Sequence, residues 1–379
     1  MKIISFISAI IMSASLFSFN ASAEGEPSVS AKGAILIDSL TGEVLYEKNA
    51  YAKLPMASTT KIMSALLAFE MCDDLDEEFV VDSEAIKVEG SSMGLQEGDV
   101  VTMRALIYGM LLPSGNDAAN ATAVKISGSV EDFVQLMNDR AAEMGLTSTH
   151  FVTPSGLDDD TDDHYSTAYD MAILTQEAMK IPGFRQICSQ YNAKLKFGNP
   201  PYERWLTNSN KLLNMYDGVI GVKTGFTDKA KRCLVSACEK DGGELICVTL
   251  NAPDDWLDHS RLYDYGFEQM EKQVLPLEQR SFQVNVVGGK SDTVLCRTEQ
   301  VSLNLLEGKA QSVRSEVHIN HFIYAPVAEN IRLGSVRYYL DDVLLHEEPI
   351  WTVDMVNEKK AVKKSLFADI LDKIRICFS

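Results

Sequence analysis

Residues 55–69 read PMASTTKIMSALLAF, and the reading of this stretch decides the fold. After Pro55, Ser58 opens an apolar pattern in which Met63, Leu66, Leu67 and Phe69 recur at helical spacing. Ser58-Thr59-Thr60-Lys61 is an S-x-x-K motif at the head of that pattern. Residues three apart on a helix share a face, so the lysine amine can reach the serine hydroxyl. A lysine acts as a base only when neutral, and burial among apolar residues lowers its pKa enough to allow that. Alone the motif is weak, because a chain of this length supplies about one by chance.

Working outward, Gly33 to Asp38 and Glu43 to Tyr46 are strand-like runs joined by the turn Ser39-Leu40-Thr41-Gly42, a hairpin signal. Downstream, a mostly helical region runs to about Met179, with helical periodicity over Met103 to Leu112 and Val130 to Met144. Residues Pro154 to His164 are polar and acidic, which predicts a surface loop. Val219 to Val222, Cys233 to Cys238 and Leu245 to Leu250 read as strands, and Asp254 to Met270 as a closing helix. Near Val274 the composition shifts to short alternating strands that continue to about Val356. Their spacing predicts a small all-β sandwich. The expected architecture is an α/β (α+β) catalytic domain over 24–273, a β-sandwich over 274–357 and a terminal amphipathic helix over 358–379.

Composition narrows the function. The 379 residues are 46% hydrophobic, enough for a large core and a smaller one. A net charge of -19 argues against nucleic-acid binding, which needs a basic surface. Lys2, the apolar run Ile3 to Phe19 and the A-x-A sequence Ala21-Ser22-Ala23 predict an export signal, residues 1–23, cleaved after Ala23. The seven cysteines form no CxxC pair and no zinc pattern, so they are expected to be core thiols and no metal or other cofactor is expected. The tail from Lys359 sets Val362, Leu366, Phe367, Ile370, Leu371 and Ile374 on one stripe opposite lysines. That is too short and too charged to span a bilayer, and predicts a helix lying in a membrane surface.

Two further motifs bear on chemistry. Ser114-Gly115-Asn116 follows the apolar run Leu106 to Leu112, where a loop can set a hydroxyl and an amide beside the Ser-Lys pair; a helix cap is the alternative. Lys223-Thr224-Gly225 ends the strand Val219 to Val222. Its glycine admits close approach to the strand, and lysine and threonine can bind a carboxylate. The alternative for Lys223 is a solvated edge-strand lysine.

S-x-x-K, S-x-N and K-T-G in this order resemble the penicillin-interacting serine enzymes, the penicillin-binding proteins and serine β-lactamases. The segments GAILIDSLTGEVLYEKNAYAKLPMASTTKIMSALLAF (33–69), LPSGNDAAN (112–120), FVTPSGLDDDTDDHYSTAYD (151–170) and DGVIGVKTGFTDKAKRC (217–233) are similar to low-molecular-mass D-alanyl-D-alanine carboxypeptidases. The resemblance implies that Ser58 attacks the penultimate D-Ala carbonyl of a peptidoglycan stem peptide and that Lys61 takes its proton. It implies that Ser114 relays protons and Asn116 holds the substrate amide. Lys223 would set the electrostatics, with Thr224 and Thr227 on the terminal carboxylate and Gly225 beside them. The backbone N–H groups of Ser58 and Phe226 would form the oxyanion hole. Arg261, at the start of the closing helix, is a further carboxylate candidate or a surface arginine. The resemblance also implies acylation by β-lactam antibiotics and attachment of the tail to the outer face of the membrane.

Two departures stand out. Phe226 replaces the histidine that many relatives carry after K-T-G, and Asn208-Ser209-Asn210 lacks an arginine that some relatives have there. A serine β-lactamase would share the three motifs, but no E-x-x-x-N segment lies between the second and third. A non-catalytic wall-binding module is hard to square with three intact motifs.

Overall fold

The computed structural model describes residues 25–158, 161–340 and 342–359. The expected export signal and residues 360–379 of the expected tail helix lie outside the described residues; at the helix's expected start Glu358 instead bridges Gly289 as extended chain. The catalytic part is built on a five-stranded antiparallel sheet in the order Val44–Lys48, Gly33–Asp38, Gly243–Leu250, Lys231–Lys240, Val219–Thr227. Among the described residues seven α-helices accompany it: α1 Lys61–Met71, α2 Met103–Leu111, α3 Asn116–Ser127, α4 Val130–Glu143, α5 Ala168–Met179, α6 Pro182–Cys188 and α7 Asp255–Glu268.

The three central strands are buried on both faces, and their sequence shows why. Successive side chains on a strand point to opposite faces. Ile35 and Ile37 join the core formed with α1 to α6, while Ala34 and Leu36 join the core under α7. Ile246 and Val248 alternate in the same way with Leu245 and Cys247. Near-continuous apolar runs therefore mark strands with two buried faces. The edge strand Val219–Thr227 carries K-T-G, and its free side borders the turn that holds Ser58.

Two boundaries differ from expectation. Ser58 does not begin an α-helix: Ala57–Thr60 is a 3-10 turn, and α1 starts at Lys61. The sheet-rich C-terminal part starts at Met270, since Met270–Val274 leaves α7 to pair with Ser302–Leu306. That part is a six-stranded sheet, and Leu275, Val301 and Leu305 from the two-stranded ladder and its flanks share its apolar core. Asn192–Gly198 and Pro201–Thr207 form an added hairpin that the sequence reading left undescribed. Among the described residues all six cysteines are free; Cys72 is half-buried and the other five are buried.

Candidate active site

The three motifs converge. Ala57 precedes Ser58 with φ +49, a left-handed conformation that costs free energy for a residue with a side chain. The elbow is braced within the turn: the Thr59 hydroxyl donates to Met56 O at 2.7 Å and the Thr60 hydroxyl to Ala57 O at 2.8 Å. A 3-10 turn repeats every three residues, so positions 58 and 61 eclipse more closely than on an α-helix. Lys61 Nζ accordingly lies 2.9 Å from Ser58 Oγ.

Lys61 has no exposed surface. Its amine also donates to Asn116 Oδ1 at 2.7 Å and to Ser155 O at 2.6 Å. Both of these oxygens can only accept, so they claim the two N–H bonds of a neutral amine and leave its lone pair for the Ser58 hydroxyl. Burial pushes the Lys61 pKa well below the usual lysine range; the Lys223 charge lowers it further, and Asp117 partly opposes. Lys223 is 1% exposed, donates to Thr224 O at 2.8 Å, and is lowered by burial to about 7. It is not a solvated edge lysine.

Asn116 also holds the base. Its side chain is 3% exposed, and its Nδ2 donates to Glu89 O at 2.6 Å while Oδ1 holds Lys61. Asn116 Oδ1 thus positions the base, and one of the two Nδ2 hydrogens is spent on Glu89 O. It is also not a cap: α3 starts without a side-chain cap. Ser114 sits in the turn before α3 with φ +68 and lines the cleft.

The cleft, about 350 Å³, is walled by Ser58, Ser91, Ser114, Ser209, Lys211, Thr224, Gly225, Phe226, Arg232, Asp255 and Trp256. Gly225 is needed, but by the protein itself: a Cβ there would stand 3.0 Å from Met56 O and 3.1 Å from Ser58 N. Gly156, with φ +88, presses on the same elbow from the other side, where a Cβ would collide with Ala57 O. The Phe226 ring is exposed. Thr227 does not wall the cleft; its hydroxyl donates to Asp158 at 3.1 Å and accepts from Ala230 N at 2.9 Å.

Arg261 is away from the cleft. It lies in the middle of α7, exposed, with a guanidinium 3.5 Å from Ser28 O. The cleft's arginine is Arg232, which donates twice to Asp255 Oδ1 at 2.6 and 3.0 Å and lies over the Trp256 ring at 5.3 Å. The sequence reading missed it. The signal was available, since a hairpin returning after Thr227 must set Arg232 beside the motif strand, opposite Phe226. Around Asn208-Ser209-Asn210, both asparagines serve the backbone, with Asn208 Nδ2 on Cys188 O and Gln190 O and Asn210 Nδ2 on Gly221 O. Ser209 and Lys211 face the cleft. Asp117 was also missed. Its carboxylate gathers the amides of Met93, Gly94 and Leu95 and the Ser92 hydroxyl, fixing the loop that gives Ser91 to the cleft and Ser91 O to the Asn116 amide.

Comparison with known proteins adds the family. Residues 20–254 match the family model described as D-alanyl-D-alanine carboxypeptidase. The chain is 35% identical over 355 residues to the D-alanyl-D-alanine carboxypeptidase DacF of Bacillus subtilis, covering 90% of this chain and 88% of that protein. It is 32% identical to the carboxypeptidase DacC of Escherichia coli, covering 88% and 86%. Among solved structures, the Streptomyces K15 DD-transpeptidase superposes with a TM-score of 0.61 at 33% identity, over 64% of this chain and 98% of that one. A D-alanyl-D-alanine carboxypeptidase from Mycobacterium tuberculosis gives 0.60 at 35% identity, over 64% and 92%.

Proposed function

The chain belongs to the D-alanyl-D-alanine carboxypeptidase family and is a serine-type D,D-carboxypeptidase; from that premise we propose how its cleft divides the reaction. The observation that carries the assignment is the Lys61 amine, held by two acceptors with its third direction on Ser58 Oγ. Neutral Lys61 takes the Ser58 proton as Oγ attacks the carbonyl of the penultimate D-Ala. The amides of Ser58 and Phe226 receive the oxyanion. The proton passes by way of Ser114 to the departing D-alanine amine, leaving an ester on Ser58 that water then hydrolyses. Lys223 keeps positive charge near the reacting centre. Thr224 and Arg232 bind the terminal carboxylate, a pairing supported by the place of both on one cleft wall.

Penicillins carry a strained amide and a carboxylate, so they enter the same steps and acylate Ser58. Among the described residues the one carboxylate lining the cleft is Asp255, and Arg232 occupies it. This arrangement supports a slowly hydrolysed penicillin adduct, and a β-lactamase is not favoured. Residues 1–23 export the chain, and the stripe of 358–379 holds it at the outer face of the cytoplasmic membrane; the supports are the A-x-A sequence and the lysine-flanked apolar pattern. The reaction is tested by mass spectrometry of D-alanine release from a pentapeptide, with and without penicillin. Release that survives penicillin, or survives Ser58→Ala, would overturn the assignment.

A further inference from the structure

His164 is 1% exposed and lies behind the Ser-Lys pair, outside the cleft. Its Nδ1 is 2.9 Å from the Val152 amide, which can only donate, so Nδ1 accepts and carries no proton. The ring proton therefore sits on Nε2 and is given to Thr60 Oγ1 at 2.8 Å. Thr60 Oγ1 passes its own proton to Ala57 O at 2.8 Å. One imidazole thus joins two pieces of backbone. Through Thr60 it reaches the left-handed elbow that presents Ser58. Through Val152 it holds the loop whose next residues bear on Lys61 and α1: Ser155 O accepts from Lys61 Nζ, and Pro154 O accepts from the Ser64 hydroxyl at 2.6 Å.

We propose that His164 is a positioning residue for acylation, fixing the Ser58 elbow against the loop that sets Lys61. The inference rests on the reading of Ser58 and Lys61 given above. A neutral imidazole is required, because a protonated ring offers two donors and would oppose the Val152 N–H. Burial supplies that neutrality, with smaller contributions from His150 and Lys61, and lowers the His164 pKa to about 3. A satisfied core histidine without a role in acylation would leave the reaction insensitive to how the two hydrogen bonds are made. The chemistry here is directional: an acceptor is needed toward Val152 and a donor toward Thr60.

The test compares His164→Leu, which makes neither bond, with His164→Gln, whose amide both donates and accepts. The acylation rate at saturating penicillin and the penicillin concentration giving half that rate are measured separately, with a thermal melt for each variant. His164→Leu is expected to lower the saturating rate by about 10–100-fold, the scale of a small misplacement of reacting groups, with little change in half-saturation. His164→Gln is expected to restore most of the rate. Thr60→Val breaks the relay at its other end with similar volume, and serves if His164→Leu does not fold. The inference is overturned if folded His164→Leu or Thr60→Val acylates at the parental rate, if the loss appears only in half-saturation, or if folded His164→Gln is as slow as His164→Leu. Acylation that persists in Ser58→Ala would instead overturn the underlying assignment of the nucleophile.

Discussion

Lys223 lowers the proton affinity of Lys61, and neither amine has more than 1% of its surface exposed. Two buried lysines in one centre cannot both hold full charge comfortably, so the pair shares the work of one base and one cation. With Lys223 lowered to about 7, its charge is present below that pH and lost above it. Acylation by penicillin is therefore expected to rise as Lys61 deprotonates and to decline as pH passes through about 7 and beyond. Lys223→Arg keeps its charge at every accessible pH. Its rate-pH profile should lose the alkaline decline, whatever its absolute rate; an unchanged decline would place that titration elsewhere.

Asn116 is expected to act on the base. Asn116→Ala removes the acceptor 2.7 Å from Lys61 Nζ and frees the amine to turn. Leaving a buried donor without its acceptor costs about 1–3 kcal/mol, or about 5–150-fold. Acylation kinetics should show that loss in the saturating rate. A change confined to substrate affinity would return Asn116 to the substrate-binding role first expected of it.

Arg232→Ala should raise KM for a pentapeptide by about tenfold or more while leaving activity on a C-terminally amidated peptide little altered. Asp255 is buried and would lose its cationic partner, so Arg232→Ala is best measured beside Arg232→Lys. Equal losses on the free acid and the amide would count against carboxylate recognition.

Stability should fall in mild acid. His164 and His259 are buried with pKa values lowered by burial to about 3. His259 is enclosed by Ser236 at 2.6 Å and Thr249 at 2.9 Å. An unfolded histidine titrates near 6.5, so between that pH and about 3 the unfolded chain binds more protons and stability declines as pH falls. Each imidazole contributes a slope of up to about 1.4 kcal/mol per pH unit. Urea unfolding at pH 7, 6 and 5 measures it, and His259→Gln should flatten the slope.

Truncation before Lys359 is expected to release the protein from membranes with carboxypeptidase activity intact. Sedimentation of membranes with and without the truncation decides it, and continued association of the shortened chain would place the anchor elsewhere.

Much of this site was legible because its chemistry is local. Ser58 and Lys61 are three residues apart, and any tight helical turn brings them together. The alternation of Ile35, Leu36 and Ile37 likewise announces a strand. Arg232 was not legible in the same way, because its place depends on the register of a hairpin and on the start of α7. Arg261 looked equivalent in composition but points outward from the middle of that helix. Asp117 and His164 escaped notice for a related reason. Their hydrogen bonds go to backbone and neighbouring hydroxyls, so no residue-type pattern advertises them. Thr227 shows what a motif leaves out: its hydroxyl donates to Asp158 in the fold.

The two glycines that press on the Ser58 elbow limit how this enzyme can adapt to an antibiotic. A side chain at Gly156 or Gly225 would displace the nucleophile that wall trimming and drug capture both use. The outer cleft, at positions such as Ser209, Lys211 and Phe226, carries no such constraint from these glycines. The elbow is closed to side chains at the two glycine positions, which fixes that part of the target.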